Sequence, residues 1–280
     1  KNIFLDNLDI FQFANEIVKS ISTINQLTPD SKQFLIEYAA DKAIEEFCRV
    51  NQFYSFDTKA KAELRKIYSD LFEYLQSKTD MIDIISKGHY ESIRKWIKES
   101  NPFAEKIYKD ENEKVDPIAC SEYSPEMQIK ILGIKIEHIM QPVLDIGCGS
   151  HGNLVNYLLN KGIEAYGIDR FNFNTSNLIT ADWLEYSYGK EKWGTIVSNL
   201  GFSNHFNHHN LRDDGNYIEY GKTYMNILHS LKKEGSFHYA PDLPFIEQYL
   251  DNSQFALLKR EISGYDFKAT IIKRKQLLDI

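Results

Sequence analysis

The chain has 280 residues, of which 42% are hydrophobic and 26% charged, so it can bury a sizeable core. Its formal net charge of −7 argues against a nucleic-acid partner, because phosphate binding is driven by clusters of Lys and Arg. No apolar run approaches the roughly 20 residues that a bilayer span needs, so no membrane partner is expected. The three cysteines match no zinc spacing, and such usage is typical of a reduced, cytoplasmic protein.

The first hundred residues carry the pattern of helices. Thr28-Pro29 is typical of an N-cap followed by a first-turn proline. Behind it, apolar residues recur at helical spacing, at Ile36, Ala40, Ile44 and Phe47. The pattern predicts helices from Leu8 to about Ile97, within an all-helical N-terminal domain over residues 1–115. Residues 109–117 are charged and end in a proline, which indicates a linker or an exposed loop.

The second predicted domain, residues 116–280, alternates between strands and helices after a helix that begins at Ser124-Pro125. Alternation of this kind predicts an α/β fold with a mostly parallel sheet. The predicted strands cover residues 142–146, 163–168, 194–198 and 235–239, and the predicted helices cover residues 153–160 and 216–232. The last two apolar runs, Phe255–Ile262 and Phe267–Lys273, have no clear helix between them. They predict an antiparallel hairpin at the C-terminal edge of the sheet.

A glycine-rich loop, Gly147-Cys148-Gly149-Ser150-His151-Gly152, connects the first predicted strand to the next helix. Glycines let a backbone approach a ligand closely, and a helix N-terminus offers free N–H groups to a carboxylate or a phosphate. The three glycines also match the G-x-G-x-x-G pattern of dinucleotide sites. Asp145, two residues before the first glycine, distinguishes a dinucleotide site from a site that binds a methionine moiety. An acid is unfavourable beside a pyrophosphate, whereas the ammonium group of a bound methionine moiety needs an acceptor there.

The stretch Asp145-Ile146-Gly147-Cys148-Gly149 resembles the first motif of class I S-adenosylmethionine-dependent methyltransferases, an acid followed by x-G-x-G. The resemblance covers residues 124–275. It implies a Rossmann-like sheet, S-adenosyl-L-methionine as the cofactor, and an N-terminal helical domain that caps the substrate pocket. The third glycine departs from the family pattern, because it is Gly152 and His151 stands one position earlier.

The resemblance also implies roles for residues at the ends of later strands. Asp169 resembles the acid that accepts hydrogen bonds from both ribose hydroxyls, and Asp182 resembles the residue that accepts from the adenine amino group. The implied cofactor residues are Asp145, Gly147, Cys148, Gly149, Asp169, Arg170, Asp182, Trp183 and Asn199. Asp182 could instead be the N-cap of a helix over residues 183–188, and Cys148 is interpreted as a small loop filler rather than a nucleophile.

A histidine-rich loop follows the strand that ends near Asn199. Its three histidines, His205, His208 and His209, are candidates for a general base, because imidazole titrates near neutral pH. His205 is the first choice because it lies nearest the strand end. The same i, i+3, i+4 spacing could face a metal ion, although no metal ligand is assigned, and a solvated polar loop is a third interpretation. Further substrate contacts are predicted at Tyr123, Asn204 and His238, of which His238 points either into the site or into the core.

These features predict methyl transfer from S-adenosyl-L-methionine to an oxygen, nitrogen or carbon atom of a small molecule. Transfer to a protein or an RNA is an alternative, as is transfer of the aminocarboxypropyl group of the same cofactor. Two interpretations of other classes are an NAD-dependent dehydrogenase, against which Asp145 argues, and a cofactor-binding protein without catalytic activity.

Overall fold

The computed structural model describes residues 23–77, 81–104 and 122–276. The chain divides into two compact units, Lys1–Cys120 and Ser121–Ile280. The predicted linker over residues 109–117 and the predicted domain boundary after residue 115 lie outside the described residues. So do the residues of the predicted N-terminal helices that precede residue 23.

The described part of the first unit contains three long helices, α1 (Pro29–Val50), α2 (Thr58–Ser77) and α3 (Ile82–Ser100). The predicted N-cap is confirmed, because Thr28 Oγ1 accepts a hydrogen bond from Ser31 N at 3.2 Å. The helices pack around a stacked pair of rings, Phe56 and Trp96, whose centroids are 4.8 Å apart. The indole of Trp96 donates to the Ala60 carbonyl at 2.8 Å, so its polar atom is satisfied inside this core.

The second unit is a sheet flanked by helices. Its helices are α4 (Pro125–Leu132), α5 (Asn153–Asn160), α6 (Phe202–Asn210), α7 (Tyr217–Ser230) and the single turn α8 (Pro244–Glu247). Its strands are β1 (Val143–Ile146), β2 (Ala165–Asp169), β3 (Leu178–Thr180), β4 (Trp193–Asn199), β5 (Leu231–Ala240), β6 (Phe255–Glu261) and β7 (Lys268–Arg274).

The seven strands lie in the order β3-β2-β1-β4-β5-β7-β6. Strands β1 to β5 pair in parallel, and β7 runs antiparallel to both β5 and β6. The predicted Rossmann-like, mostly parallel sheet with an antiparallel C-terminal edge hairpin and a helical N-terminal region is confirmed. Because β2, β1 and β4 are neighbours and parallel, their carboxyl ends meet at one edge of the sheet, where such sheets bind ligands.

Apolar residues cover both faces of the sheet. Helices α6 and α7 contribute aromatic side chains to one core, which includes Phe202, Phe206, Tyr220 and Tyr224. Helices α4 and α5 contribute aliphatic side chains to the other, which includes Leu132, Leu154 and Leu158. Among the described residues, no helix combines the length and apolar character that crossing a bilayer requires.

The predicted loop around the histidines is wrong, because residues 202–210 form helix α6. Asn and His are weak helix formers, so the local sequence does not favour a helix here. Tertiary contacts provide the stabilisation. Phe202 and Phe206, one turn apart, are both buried against Tyr220, and Ser198 Oγ accepts a hydrogen bond from Phe202 N at 3.0 Å. Burial of an apolar face commonly decides helix formation in proteins.

Candidate functional site

The glycine loop lies at the carboxyl end of β1, in close contact with two other segments. A Cβ atom on Gly201, just after β4, would lie 3.7 Å from Gly147 Cα, so the two backbones approach closely. A Cβ atom on Gly147 would lie 3.2 Å from the ring of Trp183. Gly147 and Gly149 have φ values of 79° and 75°, a left-handed conformation that favours glycine. The structure therefore brings the loop, the Trp183 ring and the end of β4 together.

Asp169 closes the loop from the side of β2. Its Oδ2 accepts a hydrogen bond from Gly149 N at 2.9 Å, and its Oδ1 accepts one from Arg170 N at 2.7 Å. A carboxylate oxygen has more than one lone pair, so both oxygens keep capacity for a further donor. Burial raises the pKa of Asp169, although Arg170 and the two backbone donors oppose that shift. The acid is thus held in one position with acceptor capacity remaining, as a ribose-binding acid requires.

Asp145 is the most unusual polar group of the site. Its side chain is buried, with 1% of its surface exposed, and its Oδ2 has no hydrogen-bond partner among the described residues. Burial, with a smaller contribution from the neighbouring Asp169, raises the pKa of Asp145 to about 8. A buried polar atom without a partner costs free energy and is uncommon in native structures. A ligand that donates a hydrogen bond or carries positive charge would relieve this cost.

Asn199, at the end of β4, is also buried without hydrogen bonds. Its side chain is 8% exposed, and neither Oδ1 nor Nδ2 has a partner in the part of the chain that the structure describes. An amide side chain has donor and acceptor capacity for several hydrogen bonds, all of which water would satisfy in the unfolded chain. Its placement at the carboxyl edge therefore points, like that of Asp145, to a ligand.

Asp182 and Trp183 follow β3 and form a turn. Asp182 Oδ1 accepts a hydrogen bond from Leu184 N at 2.8 Å, which is the local contact that the N-cap interpretation expects, but only residues 183–185 turn and no helix follows. The predicted contact of Asp182 with adenine stays a prediction. The indole of Trp183 donates to the hydroxyl of Tyr220 at 3.4 Å, which connects the turn to α7. Arg170 lies over the ring of Phe171, 5.9 Å from its centroid.

The three histidines of α6 occupy different environments. His205 is buried, and its ring meets the ring of Trp183 edge-on with 4.8 Å between centroids. His208 Nε2 lies 3.1 Å from Arg212 Nη1, and burial together with that guanidinium lowers the pKa of His208 to about 4. Since the guanidinium can only donate, Nε2 of His208 is the acceptor and its lone pair is engaged.

His209 is held in a single tautomer by its neighbours. Its Nδ1 accepts a hydrogen bond from Asn216 N at 3.1 Å, and its ring stacks on Tyr220 with 4.8 Å between centroids. Burial, followed by the nearby His208 and Arg212, lowers the pKa of His209 to about 4. The ring is neutral at physiological pH, so Nε2 carries the proton and donates only. Neither His208 nor His209 is therefore suited to remove a proton.

The remaining predicted substrate residues are engaged within the fold. His238 Nδ1 lies 3.2 Å from the Leu132 carbonyl and its Nε2 lies 2.9 Å from Ser236 Oγ, which agrees with the interpretation that this ring belongs to the core. Asn204 Nδ2 donates to the Leu200 carbonyl at 3.2 Å. The backbone carbonyl of Tyr123 accepts from Gln128 Nε2 at 3.0 Å. Among the described residues, no three His, Cys, Asp or Glu side chains are placed to hold a metal ion.

The sequence did not point to Glu122, a residue outside the glycine loop that contacts it. The carboxylate of Glu122 accepts four hydrogen bonds: from Ser150 N at 2.8 Å, from Ser150 Oγ at 2.5 Å, from His151 Nδ1 at 2.7 Å and from Asn153 Nδ2 at 3.3 Å. These contacts explain the departure at position 151, since His151 serves as a donor while Gly152 takes the left-handed turn at φ 56° before α5. No local pattern marks Glu122, because it lies far from Ser150 in the chain.

Three acids surround the loop. Burial raises the pKa of the Cys148 thiol, and the negative charges of Asp145, Asp169 and Glu122 raise it further. The thiol therefore stays protonated and is a poor nucleophile, as the loop-filler interpretation predicts. The same acids make the site electronegative, so it favours a cation and disfavours a pyrophosphate.

No protein-family description matches the chain, and no curated protein matches it. Solved structures do match its fold. A TehB-like SAM-dependent methyltransferase from Corynebacterium glutamicum is 18% identical, with 48% of this chain and 79% of that chain covered and a TM-score of 0.36. An rRNA methylase from Streptococcus thermophilus is 16% identical, with 56% of this chain and 100% of that chain covered and a TM-score of 0.39.

A third matching structure is the N-methyltransferase NodS from Bradyrhizobium japonicum, which is 13% identical, with 54% of this chain and 96% of that chain covered and a TM-score of 0.35. At such identities a likeness concerns the fold alone, and these TM-scores carry no argument about activity. The function is therefore inferred from the side chains of the site.

Proposed function

We propose that this chain binds S-adenosyl-L-methionine at the carboxyl edge of its sheet and transfers the methyl group to a small molecule. The observation that carries the proposal is the buried, unpartnered carboxyl of Asp145 beside a glycine loop that Asp169 closes. An ammonium group placed at Asp145 would supply the missing donor and compensate the charge of both acids. The same position would repel the pyrophosphate of a dinucleotide.

The other residues fit the remaining parts of that cofactor. Asp169 keeps acceptor capacity on both oxygens for the ribose hydroxyls, and Asn199 offers an unpaired donor and acceptor at the adjacent strand end. Asp182 and Trp183 provide an acceptor and an aromatic surface near Gly147 for the adenine ring. When bound, the cofactor supplies a methyl group already activated on a sulfonium, so the protein's task is to orient the acceptor and exclude water.

Proton removal from the acceptor is assigned to His205. His208 and His209 are neutral, with their acceptor nitrogens engaged by Arg212 and Asn216. His205 contacts Trp183, which in turn contacts the glycine loop, so this contact connects α6 to the proposed cofactor site. A histidine at this place can take the proton that an oxygen or nitrogen acceptor releases as its bond to the methyl group forms.

A small acceptor is the favoured substrate class because the net charge of −7 disfavours a polyanion. The cytoplasmic location stays a prediction from the cysteine usage.

Calorimetry tests the proposal directly: we expect heat of binding with S-adenosyl-L-methionine and with S-adenosylhomocysteine, and none with NAD. Tight NAD binding without either sulfur nucleoside would refute it.

The acceptor and the group transferred require a second measurement. Cell extract incubated with the purified protein and methyl-labelled cofactor, followed by mass spectrometry, should show the label in a low-molecular-weight product. Label in RNA or protein would identify a macromolecular substrate. A product that gains the aminocarboxypropyl mass and leaves the labelled methyl group on the nucleoside would identify the other transfer reaction.

A further inference from the structure

The contacts of Glu122 have the form of a carboxylate-binding site. Both oxygens are used: Oε1 receives the backbone amide and the hydroxyl of Ser150, and Oε2 receives His151 and Asn153. An amide, a hydroxyl, an imidazole and a carboxamide thus converge on one carboxylate. We call these donors of Ser150, His151 and Asn153 the loop cradle. It recognises a carboxylate as such, whichever molecule carries it.

The loop cradle lies beside the proposed cofactor site. A Cβ atom on Gly149 would lie 3.2 Å from Glu122 Oε1, while the amide of the same glycine donates to Asp169. Glu122 and Asp169 therefore flank one residue of the loop. Asp145 Oδ2 and the side chain of Asn199, both more than nine-tenths buried and without a partner among the described residues, independently indicate that a ligand is received at these strand ends.

Glu122 is placed so that it can leave the loop cradle. Its side chain keeps 28% of its surface exposed, and His151, with which it forms a salt bridge, is 74% exposed, so water can replace the carboxylate at a modest cost. Asp169, a second acid, acts on the same loop and raises the cost of a further negative charge there. The contact is therefore a favourable but displaceable one.

We propose that the loop cradle binds the carboxylate of the amino-acid end of the cofactor, and that Glu122 is an internal competitor which must be displaced for that end to bind. The inference rests on the proposed function, since it concerns the same cofactor. It assigns Ser150, His151 and Asn153 to recognition of the cofactor's carboxylate and gives Glu122 an inhibitory rather than a supporting role.

The affinities of two nucleosides test the roles of the loop cradle and of Glu122. S-adenosylhomocysteine carries the carboxylate, whereas 5′-methylthioadenosine shares its adenosine and thioether but lacks the amino-acid end. Removal of the competitor in Glu122→Ala should tighten binding of S-adenosylhomocysteine about tenfold, which corresponds to one charge-assisted contact, and leave 5′-methylthioadenosine unchanged. Glu122→Gln should show a smaller gain, because its amide still fills the loop cradle. Glu126→Ala, which removes the same charge from an exposed site nearby, should leave both affinities unchanged.

Weaker binding of S-adenosylhomocysteine in both Glu122 variants would overturn the inference, because Glu122 would then support the ligand. An equal gain for both nucleosides would overturn it as well, since the effect would not concern the carboxylate. If 5′-methylthioadenosine binds the parent protein and no selective gain appears, only the loop cradle assignment fails. If neither nucleoside binds any of the proteins, the proposed function fails, and this inference fails with it.

Discussion

Two of the buried asparagines, Asn101 in the first unit and Asn199 in the second, show how differently polar groups are used in the two parts of the molecule. Asn101, after α3, is 4% exposed, accepts a hydrogen bond from Ser55 N and donates to Ser55 O, each at 3.0 Å. Asn199, after β4, is 8% exposed and has no partner among the described residues. The first asparagine joins two segments of the helical core. The second leaves its donor and acceptor atoms unpaired within the described residues, at the expense of stability.

The comparison extends to histidines within the second unit. His238 has both ring nitrogens engaged with Leu132 and Ser236, while His205 packs against Trp183 at the edge where the ligand is expected. Where the fold satisfies the polar atoms of a side chain, its substitution should lower the free energy of unfolding. Residues at the carboxyl edge should affect binding and turnover.

The largest expected effect concerns His205. His205→Ala should lower the methyl-transfer rate by about 10²–10⁴-fold, the range for loss of a general base, with the affinity for S-adenosylhomocysteine nearly unchanged. His208→Ala and His209→Ala are matched controls on the same helix and should retain most of the rate. Single-turnover rates on the identified acceptor provide the measurement. If all three variants keep the parent rate, α6 has no chemical role.

Substitution of Asn101 and of Asn199 tests directly whether the two units use buried polar groups differently. Asn101→Ala should lower the free energy of unfolding by about 1–3 kcal/mol, because it removes the two hydrogen bonds that the buried Asn101 side chain makes with the Ser55 backbone. Asn199→Ala should leave that free energy unchanged or raise it, since no hydrogen bond is lost. Urea unfolding of the ligand-free proteins measures both. The opposite pattern would show that Asn199, rather than Asn101, supports the fold.

Asp169→Ala sharpens the assignment of the cofactor site. It should weaken binding of S-adenosylhomocysteine by about 1–3 kcal/mol, the usual cost when buried polar groups lose a hydrogen-bond partner. Because Asp169 also accepts from Gly149 N, Asp169→Asn serves as a second variant that retains an acceptor at the loop. Isothermal calorimetry on folded variants gives the dissociation constants. An unchanged value in Asp169→Ala would remove this residue from the ribose site.

A pH dependence of the free energy of unfolding is expected from Asp145. Its pKa is raised from a model-compound value of 3.8 to about 8, so the unfolded chain ionises first. The stabilising contribution of the protonated Asp145 is therefore fully present below about pH 4 and is lost as the pH rises to about 8. Asp145→Asn should remove this loss, so the variant should gain stability relative to the parent at pH 8 but not at pH 4. Urea unfolding at both values tests this, and an equal difference at both would contradict it.

Several features of this protein follow from local sequence and could be predicted. The glycine loop, the parallel strands and the edge hairpin depend on residue spacing and on glycine's backbone freedom, which act over a few neighbouring residues. The acid before Gly147 is likewise a local signal, because its position two residues before the first glycine is read directly from the sequence. The N-cap at Thr28 belongs to the same class of local signal.

Other features were decided only by the tertiary structure, because they depend on contacts between segments far apart in the chain. Helix α6 forms against its own weak propensity, since Phe202 and Phe206 bury a face against Tyr220. The three histidines, equivalent by spacing, differ in their neighbours: His208 contacts Arg212, His209 accepts from Asn216 N, and His205 packs against Trp183. Glu122 meets Ser150 only when the chain folds back on the glycine loop. Sequence spacing assigns residues to elements, whereas pKa values, tautomers and unpaired polar atoms are set by neighbours that only folding brings together.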